Sequence, residues 1–77
     1  MPMKTTLDQL TAGQSAVVRK VKGEGPVRRR LLDMGLTGST EIKMVKVSPL
    51  GDPIEYRVRG YNLSLRKSEA RMIEVEL

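Results

Sequence analysis

Cysteine, histidine, phenylalanine and tryptophan are all absent from this 77-residue chain. Without thiols there is no disulfide framework and no thiolate nucleophile. Zinc loses its preferred sulfur and nitrogen donors, so any metal would have to be held by carboxylates and carbonyls alone, and no metal ligand set is predicted. Losing imidazole also removes the usual general base at neutral pH. Each acidic side chain has a nearby basic neighbour or an exposed strand position as its simpler explanation, so the sequence reads as non-enzymatic, with no catalytic residues. Gly23-x-Gly25 lacks the Gly-Lys-Ser/Thr that would make it a phosphate loop. No apolar run approaches the roughly 20 residues needed to span a bilayer, and no secretory segment follows Met1, which predicts a cytoplasmic protein.

What remains is the composition of a folded chain, 39% apolar and 30% charged. Its length predicts a single domain over residues 1–77, with a thin core built from Val, Ile, Leu and Met. The only aromatic residues are Tyr56 and Tyr61. The formal charge is +5, which suits nucleic acid, an anionic surface or an acidic protein, and equally suits a small domain avoiding self-association.

Hydrophobic periodicity predicts about five short strands and one helix. Thr6-Leu7-Asp8-Gln9-Leu10 reads as a helical turn with Thr6 as cap and Gln9 completing a capping box. Residues 15–22 form a strand whose double valine implies either a bulge or burial on both faces. Pro26 opens a helix reaching about Met34, with Val27, Leu31 and Met34 facing the sheet, Arg29 paired with Asp33 in solvent, and Gly35 closing it. Arg30 flanks the apolar arc, and a structural role through a carboxylate or loop carbonyl is expected. Residues 40–47 form a second strand with a bulge or a strong bend, residues 54–59 a third with Ile54, Tyr56 and Val58 on one face and Glu55, Arg57 and Arg59 on the other, and Gly60-Tyr61-Asn62 a turn. Leu63 and Leu65 mark a fourth strand, residues 66–71 a helical turn with Ser68 as a candidate cap, and Ile73, Val75 and Leu77 a fifth strand. Strands bent at bulges predict a small β-barrel.

The stretch Ser48–Gly60 organises the chain. Pro49 and Pro53 stiffen a loop, Gly51 tolerates positive φ, and Asp52 can bond nearby backbone. Leu50 stands between the prolines, where it either projects as an anchor or folds back to cover the barrel mouth. Pro49, Leu50, Gly51 and Asp52, with the cationic Arg57 and Arg59, are the candidate partner-binding residues: a small apolar anchor with a charged rim. Arg30, Gly35 and Pro53 are assigned structural roles. The runner-up is a basic nucleic-acid-binding module using Arg28, Arg29, Arg30, Arg57, Arg59, Arg66 and Lys67 on phosphates. Against it, Tyr56 alternates with core residues and the helix arginines splay around the helix.

Arg30-Leu31-Leu32-Asp33-Met34-Gly35-Leu36, Pro49-Leu50-Gly51-Asp52-Pro53-Ile54, Leu63-Ser64-Leu65-Arg66-Lys67, Glu69-Ala70 and Ile73-Glu74-Val75, in this order and spacing, resemble the FeoA family. The resemblance runs from Leu7 to Val75. It implies an SH3-like barrel and a cytosolic accessory role in bacterial ferrous-iron transport, partnered by the membrane GTPase transporter FeoB. It carries over no catalytic residue; from composition, no cofactor is expected and direct Fe²⁺ binding is limited to a weak carboxylate site. In the family pattern a glycine immediately precedes the residue at Thr40. Here that position is Ser39, and Gly38 comes before it.

Overall fold

The computed structural model describes residues 3–77, which form eight helices and strands and one 3-10 turn: β1 (Lys4–Thr6), the 3-10 turn Leu7–Gln9, β2 (Ser15–Val21), α1 (Gly25–Asp33), β3 (Glu41–Val47), β4 (Ile54–Val58), β5 (Tyr61–Leu65), α2 (Lys67–Ala70) and β6 (Ile73–Glu76). The strands make one six-stranded sheet in the order β1-β6-β2-β3-β4-β5. Every neighbouring pair is antiparallel. The small, strongly bent β architecture expected from the sequence is present; among the described residues no ladder joins β1 to β5, so the sheet bends round without its edges closing through hydrogen bonds. The sixth strand is Lys4–Thr6, paired with β6 through Thr5 opposite Val75. Three polar residues carry no apolar alternation, so nothing local marked it.

Both irregular strands carry a bulge, and each bulge has a clear cause. Val18 and Val21 are buried although three apart, which a regular strand forbids. The register shifts between Val18 and Lys20, and the extra residue turns Val21 inward. In β3 the shift falls between Met44 and Lys46, which sets Val47 opposite Ile54 at the rim of the core. Around these bends collect Leu7, Val18, Leu31, Leu36, Ile42, Tyr56, Val58, Ile73 and Val75, all without solvent exposure.

The helix is seated only by its C-terminal end. Leu31 is buried, with Leu32 and Met34 packed against the core beside it. Val27, one turn earlier, is 40% exposed instead of facing the sheet. A Schellman motif fixes this end: Gly35 N–H donates to Leu32 O at 3.0 Å and Leu36 N–H to Leu31 O at 3.3 Å, with Gly35 at φ +94°. The two buried leucines supply the apolar contact that accompanies such a cap. Arg29 and Asp33 make no ion pair among the described residues.

Several local expectations give way to longer-range partners. Thr6 Oγ1 donates to the Asp8 carboxylate instead of capping a backbone N–H, and Gln9 Nε2 reaches the same carboxylate. Ser68 lies inside α2, whose cap position is Arg66. The turn expected at residues 60–62 is the two-residue loop Arg59-Gly60, and Tyr61 and Asn62 belong to β5. A two-residue hairpin loop of this twist needs positive φ at both positions. Gly60 meets it at +85° and Arg59 at +48°.

Ser39 has φ +70°. It is held there by its N–H bond to Val18 O at 2.7 Å, between the flanking bonds of Thr40. A side chain in this region costs about 1–2 kcal/mol, of which the extra unfolded-state freedom of glycine offsets about half. Ser39→Gly is therefore expected to stabilise the fold by about 0.5–1 kcal/mol, read as a melting temperature several degrees higher. An unchanged or lower melting temperature would show that the turn carries no strain.

Candidate functional site

The loop between β3 and β4 is built from its own backbone. Ser48 N–H bonds Pro53 O at 3.1 Å, Gly51 N–H bonds Ser48 O at 2.7 Å, and Leu50 N–H reaches Ser48 Oγ at 3.4 Å. Gly51 takes φ +86°, and the Asp52–Pro53 peptide bond is cis. Asp52 leaves the loop altogether: its Oδ1 accepts the Lys67 N–H at 2.8 Å, tying the loop to the first residue of α2. These bonds orient the tip so that Leu50 stands 93% exposed, with Pro49 exposed beside it and Val47 half-exposed at the base. A leucine this far from the core gains nothing from folding, whereas covering it with a partner gains about 1.5–3 kcal/mol.

The proposed site residues do not form one patch. Pro49, Leu50, Gly51 and Asp52 lie at the tip, and Pro53 sets the chain's return into β4. Arg57 and Arg59 lie toward the other end of that strand. At about 3.3 Å per residue, Arg59 is roughly 17 Å from Ile54. They line a separate open concavity with Lys43 and Ser39. The two arginines thus stand apart from the loop tip on the same hairpin, and Asp52 also serves the loop's anchorage.

Arg30 and Gly35 sit in the joint between α1 and the sheet. The Arg30 guanidinium pairs with the Glu69 carboxylate. Glu69 is the third residue of α2, 8% exposed, and its Oε1 also accepts the Arg66 N–H at 2.9 Å. One carboxylate thus caps α2 and binds α1. Gly35 packs under Tyr61, whose hydroxyl donates to Met34 O, and a Cβ at Gly35 would lie 3.3 Å from the Tyr61 oxygen. Glu69 and Tyr61 are structural anchors of this joint that the sequence pattern did not assign; the spacing of Glu69 three residues after Arg66 was the available signal. Glu69→Ala removes the cap and leaves Arg30 without its partner. Because the guanidinium is half-exposed, most of the expected loss, about 1–2 kcal/mol, comes from the cap and the buried packing. Denaturant titration checks this, and Glu69→Gln, which keeps an acceptor for Arg66 N–H, is expected to lose less.

The helix arginines offer no continuous cationic stripe. Arg30 is committed to Glu69, and Arg28 Nε donates to Val21 O at 3.3 Å. Among the described residues no group of three or more acidic side chains converges as a metal cage would require, and no helix is long and apolar enough to cross a membrane.

The comparisons with known proteins agree with this architecture. The Fe(2+) transport protein A/Fe(2+) transporter FeoB fusion protein of Porphyromonas gingivalis is 45% identical over 71 residues, which is 92% of this chain but only 8% of that protein. An FeoA-like protein of Clostridium acetobutylicum superimposes with a TM-score of 0.90 at 43% identity, covering 100% of this chain and 90% of that one. The zinc-complexed FeoA of Stenotrophomonas maltophilia, described as a prokaryotic SH3 domain protein, superimposes with a TM-score of 0.82 at 33% identity, covering 92% of this chain and 88% of that one. The bent six-stranded sheet is thus SH3-like. Residues 5–77 match the FeoA domain, and the chain belongs to the FeoA family.

Proposed function

We propose that this chain is a non-enzymatic accessory protein of ferrous-iron uptake, acting in the cytosol by docking on the cytosolic part of an FeoB-type GTPase transporter. The observation that carries the reading is the Porphyromonas gingivalis relative, in which a 45% identical segment shares one polypeptide with an FeoB transporter. Fusion holds two modules at an effective concentration on the order of millimolar, so even a modest interface between them stays occupied. The exposed Leu50, on a loop braced by internal bonds and by Asp52, supplies an anchor that needs no reordering to bind.

Docking would modulate transport by favouring one conformation of the transporter, to the extent that the chain binds that conformation more tightly. The carboxylates support a non-catalytic role. Asp8, Asp52, Glu69, Glu74 and Glu76 are each engaged by a backbone donor or a cation within the chain. Calorimetric or NMR titration against the cytosolic domain of an FeoB transporter, in its GTP- and GDP-bound states, tests the reading. Saturable binding in at least one state is expected, and no binding in either at high concentration would end it.

A further inference from the structure

The outer face of β2, β3 and β4 carries charges that folding alone disfavours. Lys43 and Arg57 stand directly opposite each other across β3 and β4, and like charges so placed destabilise a sheet. Lys43 also faces Ser15 of β2, and Arg57 faces Asn62 of β5. One row of hydrogen-bond donors therefore crosses four strands at intervals of about 4.8 Å. At the end of β4, Arg59 is held with positive φ while its Nη2 donates to Thr40 Oγ1 at 3.3 Å. Lys43, Arg57 and Arg59 line one open concavity of about 440 Å³.

Arg19, Lys22, Arg30 and Arg71 each pair with a carboxylate, and the other cationic side chains of the described residues, Lys43, Arg57 and Arg59 among them, do not. Glu41 shares the concavity, which leaves three cations there against one carboxylate; Glu55, just outside it, accepts from Asn62 Nδ2 at 3.4 Å and keeps its charge, and Arg57 Nη1 donates to Asn62 Oδ1 at 3.5 Å.

We propose that this face binds an acidic segment of a protein partner, whose carboxylates neutralise the Lys43–Arg57 pair and engage the guanidinium of Arg59. Guanidinium forks match carboxylates bidentately. Arg57 stands on β4 and Arg59 in the turn that follows it, with Arg57 Nη1 reaching Asn62 Oδ1 and Arg59 Nη2 reaching Thr40 Oγ1, so two guanidinium groups flank the concavity from different sides. No aromatic side chain lines the concavity, so the stacking platform that single-stranded nucleic acid requires is missing. The face lies away from Leu50 and stands independently of the transporter reading, and its test uses no transporter.

The isotope-labelled full chain is titrated with a ten-residue peptide of alternating Glu and Ser, followed by amide NMR. Shifts confined to residues 41–43 and 57–60 are expected. Affinity should fall at least about fivefold when salt rises from about 50 to 300 mM, and a Gln/Ser peptide should produce no shifts. The double variant Lys43→Gln with Arg57→Gln should lose the response yet melt about 2 °C higher, because the opposed charges are gone. Shifts scattered over all exposed Lys and Arg residues, or a response retained in the double variant, would overturn the proposal. So would tighter binding of inorganic phosphate or a ten-residue oligothymidylate at the same amides.

Discussion

Tyr56→Ala is expected to leave the chain largely unfolded at 25 °C. Tyr56 has no solvent exposure and is the largest fully buried side chain. Truncating a buried aromatic ring to alanine costs about 3–5 kcal/mol, and a core of this size supplies only about that much net stability. Tyr56→Phe separates the ring from its hydroxyl. The phenol donates to Leu7 O at 3.1 Å, and that carbonyl keeps a second donor in Leu10 N–H at 3.3 Å. The phenylalanine variant should therefore fold and lose only about 1 kcal/mol.

Burial first, and the Asp8 carboxylate second, push the Tyr56 phenol above its ordinary value of 10.0. The unfolded phenol releases its proton near pH 10, while the folded one holds it to higher pH. Between those limits the unfolded state binds fewer protons, so stability is fully present below about pH 10 and declines above it by about 1.4 kcal/mol per pH unit. Tyr56→Phe should remove this contribution and flatten the alkaline limb of a denaturation series. Equal alkaline slopes in the parent and phenylalanine chains would mean that the buried phenol does not govern it.

Local pattern made most of this fold legible, because alternation and bulges are written in adjacent residues. Ile54, Tyr56 and Val58 alternate inward, and the double valine of β2 signalled an irregular strand, although the register shift itself falls just after it, between Val18 and Lys20. What stayed hidden is held by partners distant in sequence. Lys4–Thr6 is a strand because β6 offers it an edge. Asp52 suggests a local turn bond, but its oxygen goes to Lys67, fifteen residues on. The hairpin turn at Arg59-Gly60 was misplaced because arginine seldom takes positive φ, and the ladder between Val58 and Tyr61 imposes it.

The candidate site residues are spread along the hairpin in the same way. Arg57 is only seven residues from Leu50 in sequence, but an extended strand converts that nearness into separation. The hairpin thus has an apolar tip at one end and a cationic face toward the other, and these are separable by mutation.

Leu50→Arg follows from that separation. With its side chain 93% exposed and its backbone position set by bonds that do not involve the side chain, the substitution should leave the melting temperature within about 1 °C of the parent, since exposed sites away from special geometry change stability by less than about 0.5 kcal/mol. At an interface the same change forfeits about 2 kcal/mol or more, the leucine's buried area plus the desolvation of a guanidinium, which corresponds to about 30-fold or more in affinity for the FeoB cytosolic domain. Arg57→Gln should leave this affinity within about threefold, because a charge remote from the anchor contributes little to holding it. Undiminished affinity in folded Leu50→Arg would move the docking surface off the loop. A large loss in Arg57→Gln alongside it would place the contact on the cationic face instead.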